Sequence, residues 1–518
     1  MKRSSPIRQE DIVSRRPELL IFGVDGMSFS LTRTLIDAGL LPNFARFATA
    51  GELRPLRCTW PPHTATGWAS FITGALPGRH GIFQFWDCQD PDYDHRVVPR
   101  TALGHPTLLE ALARAGRDIG MVNLPMSHPP SEWPGYEITW PLVPTLRFFR
   151  PPEIFRELCG VGGQVRSDIM CMYDGAADYP ARARAQIQAR TRAMRHLVTT
   201  RPTSVVGVVH TEIDRVSHPY WHEIESAASG PPTGVVTDIY IEIDRAFGEL
   251  LELVGDEATV MVVSDHGFGP CTRGLGVHRM LHEGGLCALR DALQPFEGGH
   301  ADHEGASRLV HAIDWSATRC YMPTAGCFGI NVNLAGRQRQ GSVPAEARDA
   351  AIAEVTEYLG GVTDPIDGGP VFSALVRREI AYPGPYCTSA PDLLLVPRDP
   401  ALLLLADPSA PFWGSAGQTG VHSIDGVCLF RGRRRRLGDA TGIEALAGVL
   451  LDDLGIHAPE ITRSDANDVR AATAWLPDGA WLASRAPRRP GAVRPLPDRA
   501  AVPPDAGIEE RLRFLGYL

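Results

Sequence analysis

Lysine is almost absent from the sequence. Lys2 is the only one in 518 residues, and arginine supplies the rest of the 51 basic side chains, set against 60 acidic ones. The resulting charge of −9 argues against general binding to DNA or RNA phosphates. No apolar run approaches the ~20 residues needed to span a bilayer, so no membrane-spanning helix is expected. The opening stretch, MKRSSPIRQEDIVSRRPE, carries charge but no apolar h-region, and no secretory signal is read there. The ten cysteines are scattered without a CxxC pair, which removes zinc ribbons and thioredoxin-like motifs. Free thiols in a reducing cytoplasm are the expectation. Also missing are GxxxxGK[ST], GxSxG and HExxH, and with them a P-loop, an esterase elbow and a zincin. The Cys-x-Pro-x-Arg of sulfatases is absent too, its nearest text being Cys58-Thr-Trp-Pro-Pro.

With 44% hydrophobic residues and modest net charge, the chain is no disordered polymer. It is long enough for one large catalytic domain with insertions, or for two to three ordinary domains. Short apolar runs alternate with helical patterns. Leu19–Val24 ends at Asp25-Gly26 and is followed by Leu31, Leu35, Ile36 and Leu40 at helical spacings. A helix at Leu108–Arg114 precedes a strand at Asp118–Asn123; Ser204–His210 ends near Glu212 and Asp214; a helix at Asp238–Val254 precedes the strand Thr259–Val263, which runs into Ser264-Asp265-His266-Gly267. The alternation predicts an α/β fold, a mostly parallel central sheet covered by helices on both faces. Polar residues gathered at strand ends mark where such sheets place ligands. The stretches 129–200, rich in Pro and Arg, and 272–307, polar with Gly, read as cap insertions rather than sheet. Residues 1–16 read as a tail, 17–475 as the catalytic body, and 476–518 as a Pro/Arg-rich linker with a short helix at Ile508–Leu518.

The chemistry-bearing residues are few. Asp214 and His218, four apart, share one face of a helical turn and can grip one cation. Asp265-His266 follows a strand end, and His422 stands alone in Thr419-Gly-Val-His-Ser. Each has an ordinary reading: the pair as surface residues, Asp25 as a helix cap, His422 as a loop histidine. Counting Asp25, the chain offers three carboxylates and three imidazoles after strand-like runs, a total that suits two metals better than one. Mixed oxygen and nitrogen donors favour Zn²⁺, with Mn²⁺ and Fe²⁺ as alternatives.

Ordered segments join these pieces: Val24-Asp-Gly-Met, Leu41-Pro-Asn-Phe, Thr64-Ala-Thr-Gly-Trp-Ala-Ser-Phe-Ile-Thr-Gly74, Pro77-Gly-Arg-His-Gly-Ile82, Asp214-Arg-Val-Ser-His218, Ser264-Asp-His-Gly267 and Gly420-Val-His422. Weaker likenesses lie at Asp314-Trp-Ser, Ile330-Asn-Val-Asn-Leu, Ala390-Pro-Asp-Leu and Leu515-Gly-Tyr-Leu. In this order the segments resemble the alkaline phosphatase superfamily, in its type I phosphodiesterase/nucleotide pyrophosphatase branch. The resemblance implies one metal held by Asp25, Thr64, Asp265 and His266, and a second held by Asp214, His218 and His422. Thr64 stands where the family carries its nucleophile. A free threonine hydroxyl is a poor nucleophile near pH 7, and a bound metal activates it by lowering its pKa. The implied cycle forms a phosphothreonine on Thr64, which is then hydrolysed.

Two positions depart from the family pattern. An Asn that helps hold the phosphate is replaced by Phe85, and a Pro two residues after the nucleophile by Thr66. Phosphate recognition must then draw on other donors, with the Ala65 backbone N–H or an Arg or Tyr from an insertion as candidates. Thr66 suits packing better than a second site hydroxyl. His63 reads as a substrate contact or an ordinary loop histidine, His80 as a backbone partner and Trp221 as packing. The expectation is a cytoplasmic two-metal phosphohydrolase acting on a small phosphodiester or nucleotide-like ester. A phosphomonoesterase on the same site and a metal-binding, non-catalytic scaffold are the alternatives. A phosphomutase is a further one, with no returning phosphosugar site singled out. Oligomeric state is not legible.

Overall fold

Leu19–Val24 forms strand β1, with all six residues buried. Alternate side chains leave opposite faces of a strand. Leu20, Phe22 and Val24 enter a core shared with Ile187, Met194 and Phe247 of the helices Tyr179–Thr200 and Val235–Val254. Leu19 and Ile21 enter a second core with Trp68, Leu112 and Leu450, from helices on the other face. A strand buried on both sides has no polar face to show, which is why it reads as an unbroken apolar run.

The computed structural model describes residues 16–94, 96–142, 145, 147–163, 165–166, 175–224, 231–290, 311–438, 442–462 and 473–476. Around β1 stand β2 (Glu52–Arg57), β3 (Ile119–Val122), β4 (Gly135–Ile138), β5 (Phe149–Arg150), β6 (Val205–His210), β7 (Thr259–Val263) and β17 (Asp425–Arg431). They form an eight-stranded sheet in the order β2-β17-β7-β1-β6-β3-β4-β5. The run β7-β1-β6-β3-β4 is parallel throughout, and the antiparallel pairings lie at the two ends. The α/β architecture read from the alternating pattern is the one observed.

A separate core packs Trp315, Ile330, Ile352 and Leu394. Its sheet orders β10 (Cys320–Tyr321), β11 (Gly329–Val332), β13 (Leu393–Pro397) and β12 (Phe372–Arg377) under the helix Arg348–Gly360. Two small ladders complete the strands: β8 (Gly267–Pro270) with β16 (Gly420–Ser423), and β14 (Leu402–Leu405) with β9 (Arg273–Gly276) and β15 (Trp413–Gly414).

One expectation needs correcting. The stretch 129–200, read as lying outside the sheet, supplies β4, β5 and a 22-residue helix laid on the sheet face. Its prolines flank the strands rather than interrupt them, so the strands escape notice. Within 272–307, β9 and the helix Val277–Glu283 are described, and 291–307 falls outside the described residues. The tail 1–15, the linker 477–518 and the helix expected at Ile508–Leu518 also fall outside them. Among the described residues no helix is long and apolar enough to cross a membrane.

Candidate active site

Strand ends deliver the acidic groups to one place. Asp25 follows β1 and Asp265-His266 follow β7, while β6 leads into the helix Glu212–Tyr220, which carries Asp214 and His218. His422 arrives from outside the sheet, on β16, where it pairs with Phe268 of β8. Thr64 is the first residue of a ten-residue helix, Thr64–Thr73, every residue of which is buried.

Close approach requires glycine at two positions, one in a turn and one in the Thr64–Thr73 helix. Gly26 has φ +73°, and a Cβ there would lie 2.9 Å from the Asp214 Cα. A Cβ on Gly67 would lie 2.6 Å from the Asp265 carbonyl oxygen, so any other residue would push Thr64 and its helix away from the strand ends.

The resulting distances are short. The Thr64 hydroxyl donates to Asp25 Oδ1 at 3.3 Å and stands 3.3 Å from His266 Nε2. His266 Nε2 is 3.4 Å from Asp25 Oδ1 and 3.3 Å from Asp265 Oδ2. On the other side, Asp214 Oδ1 is 2.9 Å from His422 Nε2 and 3.6 Å from His218 Nε2. It also stands 3.9 Å from His266 Nε2, linking the two groups. Within each trio, Asp25-Asp265-His266 and Asp214-His218-His422, one donor atom per residue lies within 4.8 Å of the others.

The imidazole tautomers follow from their partners. His266 Nδ1 faces the Gly267 carbonyl at 3.1 Å, and His422 Nδ1 faces the Pro62 carbonyl at 2.9 Å. A carbonyl only accepts, so both Nδ1 atoms carry the proton, and the His266 ring, which burial keeps neutral, presents a lone pair at Nε2. That lone pair faces the carboxylate oxygens of Asp25 and Asp265, which also only accept. Asp265 Oδ2 is buried with no hydrogen-bond donor among the described residues.

Charge leads to the same conclusion. Burial pushes the Asp25 and Asp265 carboxyls well above the usual range, and the nearby carboxylates add to it. Burial also opposes ionisation of Asp214, yet His218 and His422 hold its carboxyl well below that range. Burial likewise pushes the His266 and His218 imidazoles down, keeping their nitrogens available as donors to a metal. Three carboxylates in one dry enclosure cannot all ionise without compensating cations. The donor set, carboxylate oxygens and imidazole nitrogens with no thiolate, therefore fits divalent metal ions.

Two of the expected substrate contacts turn out to be occupied. The Ala65 N–H donates to His63 Nδ1 at 3.2 Å, so it caps its own helix and is not directed at a substrate. Phe85 is buried, its ring 4.7 Å from His63 and 5.1 Å from Trp140. The capping bond leaves the His63 proton on Nε2, and burial lowers its pKa to about 3, so the ring stays neutral. Thr66 donates to the Phe83 carbonyl at 2.8 Å, a packing role. His80 accepts the Ile82 N–H and pairs with Ser70, and Trp221 stacks on Phe268.

Sequence reasoning missed Trp68, whose indole N–H donates to Asp25 Oδ2 at 3.1 Å. It lies four residues after Thr64, on the same helical face, and that spacing was the available signal. It also missed the support beneath Asp214. At the end of β6, Arg190 and Glu212 form a buried pair at 2.8 Å, with the His210 Nδ1 3.2 Å from the same guanidinium nitrogen. Arg190→Met strands the Glu212 carboxylate in the core and is expected to cost about 3–5 kcal/mol. The double variant Arg190→Met/Glu212→Leu should recover most of that loss. Urea unfolding of the three proteins checks this; equal losses in single and double variants would contradict it.

The profile of the type I phosphodiesterase / nucleotide pyrophosphatase family matches residues 19–425. Among solved structures, phosphonoacetate hydrolase from Sinorhizobium meliloti 1021, in complex with phosphonoacetate, is 15% identical with a TM-score of 0.51, covering 86% of this chain and 96% of that one. Inactive murine ectonucleotide pyrophosphatase / phosphodiesterase 5, in complex with AMP, is 12% identical with a TM-score of 0.50, covering 85% and 96%. At such identities the likeness is one of fold. No curated protein matches the chain.

Proposed function

The chain belongs to the type I phosphodiesterase / nucleotide pyrophosphatase family, and on that premise we propose that it hydrolyses a small phosphodiester through Thr64 with two divalent cations. The observation that carries this reading is the convergence of lone-pair atoms from two trios beside one threonine hydroxyl. Asp25, Thr64, Asp265 and His266 would hold one cation, and Asp214, His218 and His422 the other. Zn²⁺ suits these donors best, with Mn²⁺ and Fe²⁺ as alternatives. Such cations supply charge for the attacking and leaving oxygens of an in-line displacement and acidify a coordinated hydroxyl.

The chain's own residues do the rest. Asp25 accepts the Thr64 proton in its hydrogen bond and orients the oxygen, while Trp68 fixes the other carboxylate oxygen of Asp25. The Thr64 oxygen attacks phosphorus and the first alcohol departs with the proton that Thr64 gives up; water then cleaves the phosphothreonine, returning a proton to Thr64 and releasing the phosphate monoester. The bonds of His266 to Gly267 and His422 to Pro62 keep both rings turned inward. The nine described cysteines are free thiols, which suits the cytoplasm as the place of action.

A diester is favoured over a monoester by Phe85. A monoester dianion needs more donors, and Phe85 puts a buried ring, packed on His63 and Trp140, where the family pattern has an amide donor. After chelation and reloading with Zn²⁺ or Mn²⁺, kcat/KM should be higher for a nitrophenyl phosphodiester than for the matching monoester. Phe85→Asn, which adds an amide donor, should move the ratio toward the monoester. A wild type at least tenfold better on monoesters, with the ratio unmoved by Phe85→Asn, would contradict the diester assignment.

A further inference from the structure

We propose that His63 is a positioning residue for Thr64: its ring ties down the first turn of the Thr64–Thr73 helix and so sets the direction in which the Thr64 hydroxyl faces its partners. The proposal rests on the reading of Thr64 as the nucleophile and adds a residue that acts through it.

The backbone places His63 between the two groups of donors. Before it, the Pro62 carbonyl accepts the His422 Nδ1–H at 2.9 Å. After it, the Thr64 hydroxyl stands 3.3 Å from Asp25 Oδ1 and 3.3 Å from His266 Nε2. Pro62 and Thr64 therefore each touch one trio, and the backbone at His63, extended at φ −145° and ψ 135°, joins them. One turn into the helix the Gly67 N–H donates to the His63 carbonyl at 2.8 Å, and Gly67 itself packs against Asp265 of the first trio.

The side chain holds this turn a second time. His63 Nδ1 accepts the Ala65 N–H at 3.2 Å, a donor that has no partner within its own helix. Asn, Asp, Ser and Thr are the commoner caps, and a ring adds contacts that those short side chains lack. Phe85 meets the ring edge to face at 4.7 Å. At Gly326, where φ is +73°, a Cβ would come within 3.3 Å of the ring Cδ2. Only 2% of His63 is exposed. A ring so enclosed is held in one rotamer, so the Ala65 N–H is fixed in place, and Thr64, which lies between the two, is fixed with it.

The same hydrogen bond assigns the ring's atoms. With Nδ1 accepting, the proton sits on Nε2. Positioning uses Nδ1, whereas donation to a phosphoryl oxygen would use Nε2. Two amide side chains separate these roles. The terminal atoms of Asn fall where Nδ1 lies and can cap the helix; those of Gln fall where Nε2 lies and can donate.

The test compares His63→Asn, His63→Gln and His63→Phe in full-length, Zn²⁺-loaded protein, with a nitrophenyl phosphodiester as substrate. His63→Asn restores the cap and is expected to keep kcat within about tenfold of wild type. His63→Gln and His63→Phe are expected to lower kcat roughly 100-fold with KM little changed, the scale of a misplacement of about 1 Å. Each variant should still hold about two metal equivalents by elemental analysis, because no ligand has been removed. An active His63→Gln beside an inactive His63→Asn overturns the proposal and makes His63 a donor to substrate. Three variants equally active, or three equally impaired, overturn it too, as does a loss of turnover that tracks a loss of metal. If His63→Phe fails to fold, the Asn and Gln variants decide. A wild type no faster than Thr64→Ala removes the nucleophile reading itself, a result distinct from any pattern among the His63 variants.

Discussion

Thr64→Ala is expected to lower kcat by several orders of magnitude while the protein stays folded. The side chain supplies the attacking oxygen and a donor atom of the first trio, so both roles vanish together. Its helix survives, because the cap comes from His63 and the core contacts from Trp68, Phe71 and Ile72. Thr64→Ser keeps the hydroxyl and should retain measurable turnover, since only a methyl is lost. Steady-state kinetics on a nitrophenyl diester reads both variants. Turnover of Thr64→Ala within tenfold of wild type would remove Thr64 as the nucleophile. Thr66 would not replace it, because its hydroxyl is committed to the Phe83 carbonyl.

Asp214→Ala is expected to lose one of about two bound cations and most turnover. Asp214 Oδ1 stands 2.9 Å from His422 and 3.9 Å from His266, so it is the carboxylate that both trios meet. Removing it leaves two imidazoles, too few donors to hold a divalent ion firmly. The sheet should survive, because its cores on either face of β1 are apolar. Elemental analysis after dialysis is expected to find about two metal equivalents in the wild type and about one in the variant. Equal metal content with equal turnover would contradict the assignment of the second trio.

The parts legible in the sequence are those set by local physics. β1 and β7 are buried on both faces, so they appear as apolar runs, and the acids at their ends are exposed as a pattern. Asp214 and His218 share a helical turn, which four-residue spacing reveals. His422 belongs to another kind of information. It reaches the site through the β8–β16 ladder, between segments far apart in the chain, and only the ordered resemblance connected it to the rest. The helix Tyr179–Thr200 was obscured by its arginines, although Ala183, Ile187, Met194 and Leu197 mark its buried stripe. β4 was obscured by its length of four residues. The use of the Ala65 N–H was not legible either, because a histidine is an uncommon helix cap.

Anomalous diffraction at the zinc edge from Zn²⁺-loaded crystals tests most directly the assignment of two cations to these two trios. Two peaks are expected, one among Asp25, Thr64, Asp265 and His266 and one among Asp214, His218 and His422, separated by roughly 4 Å. A fully active, zinc-loaded protein with its peaks elsewhere, or with no peak at either trio, would contradict it.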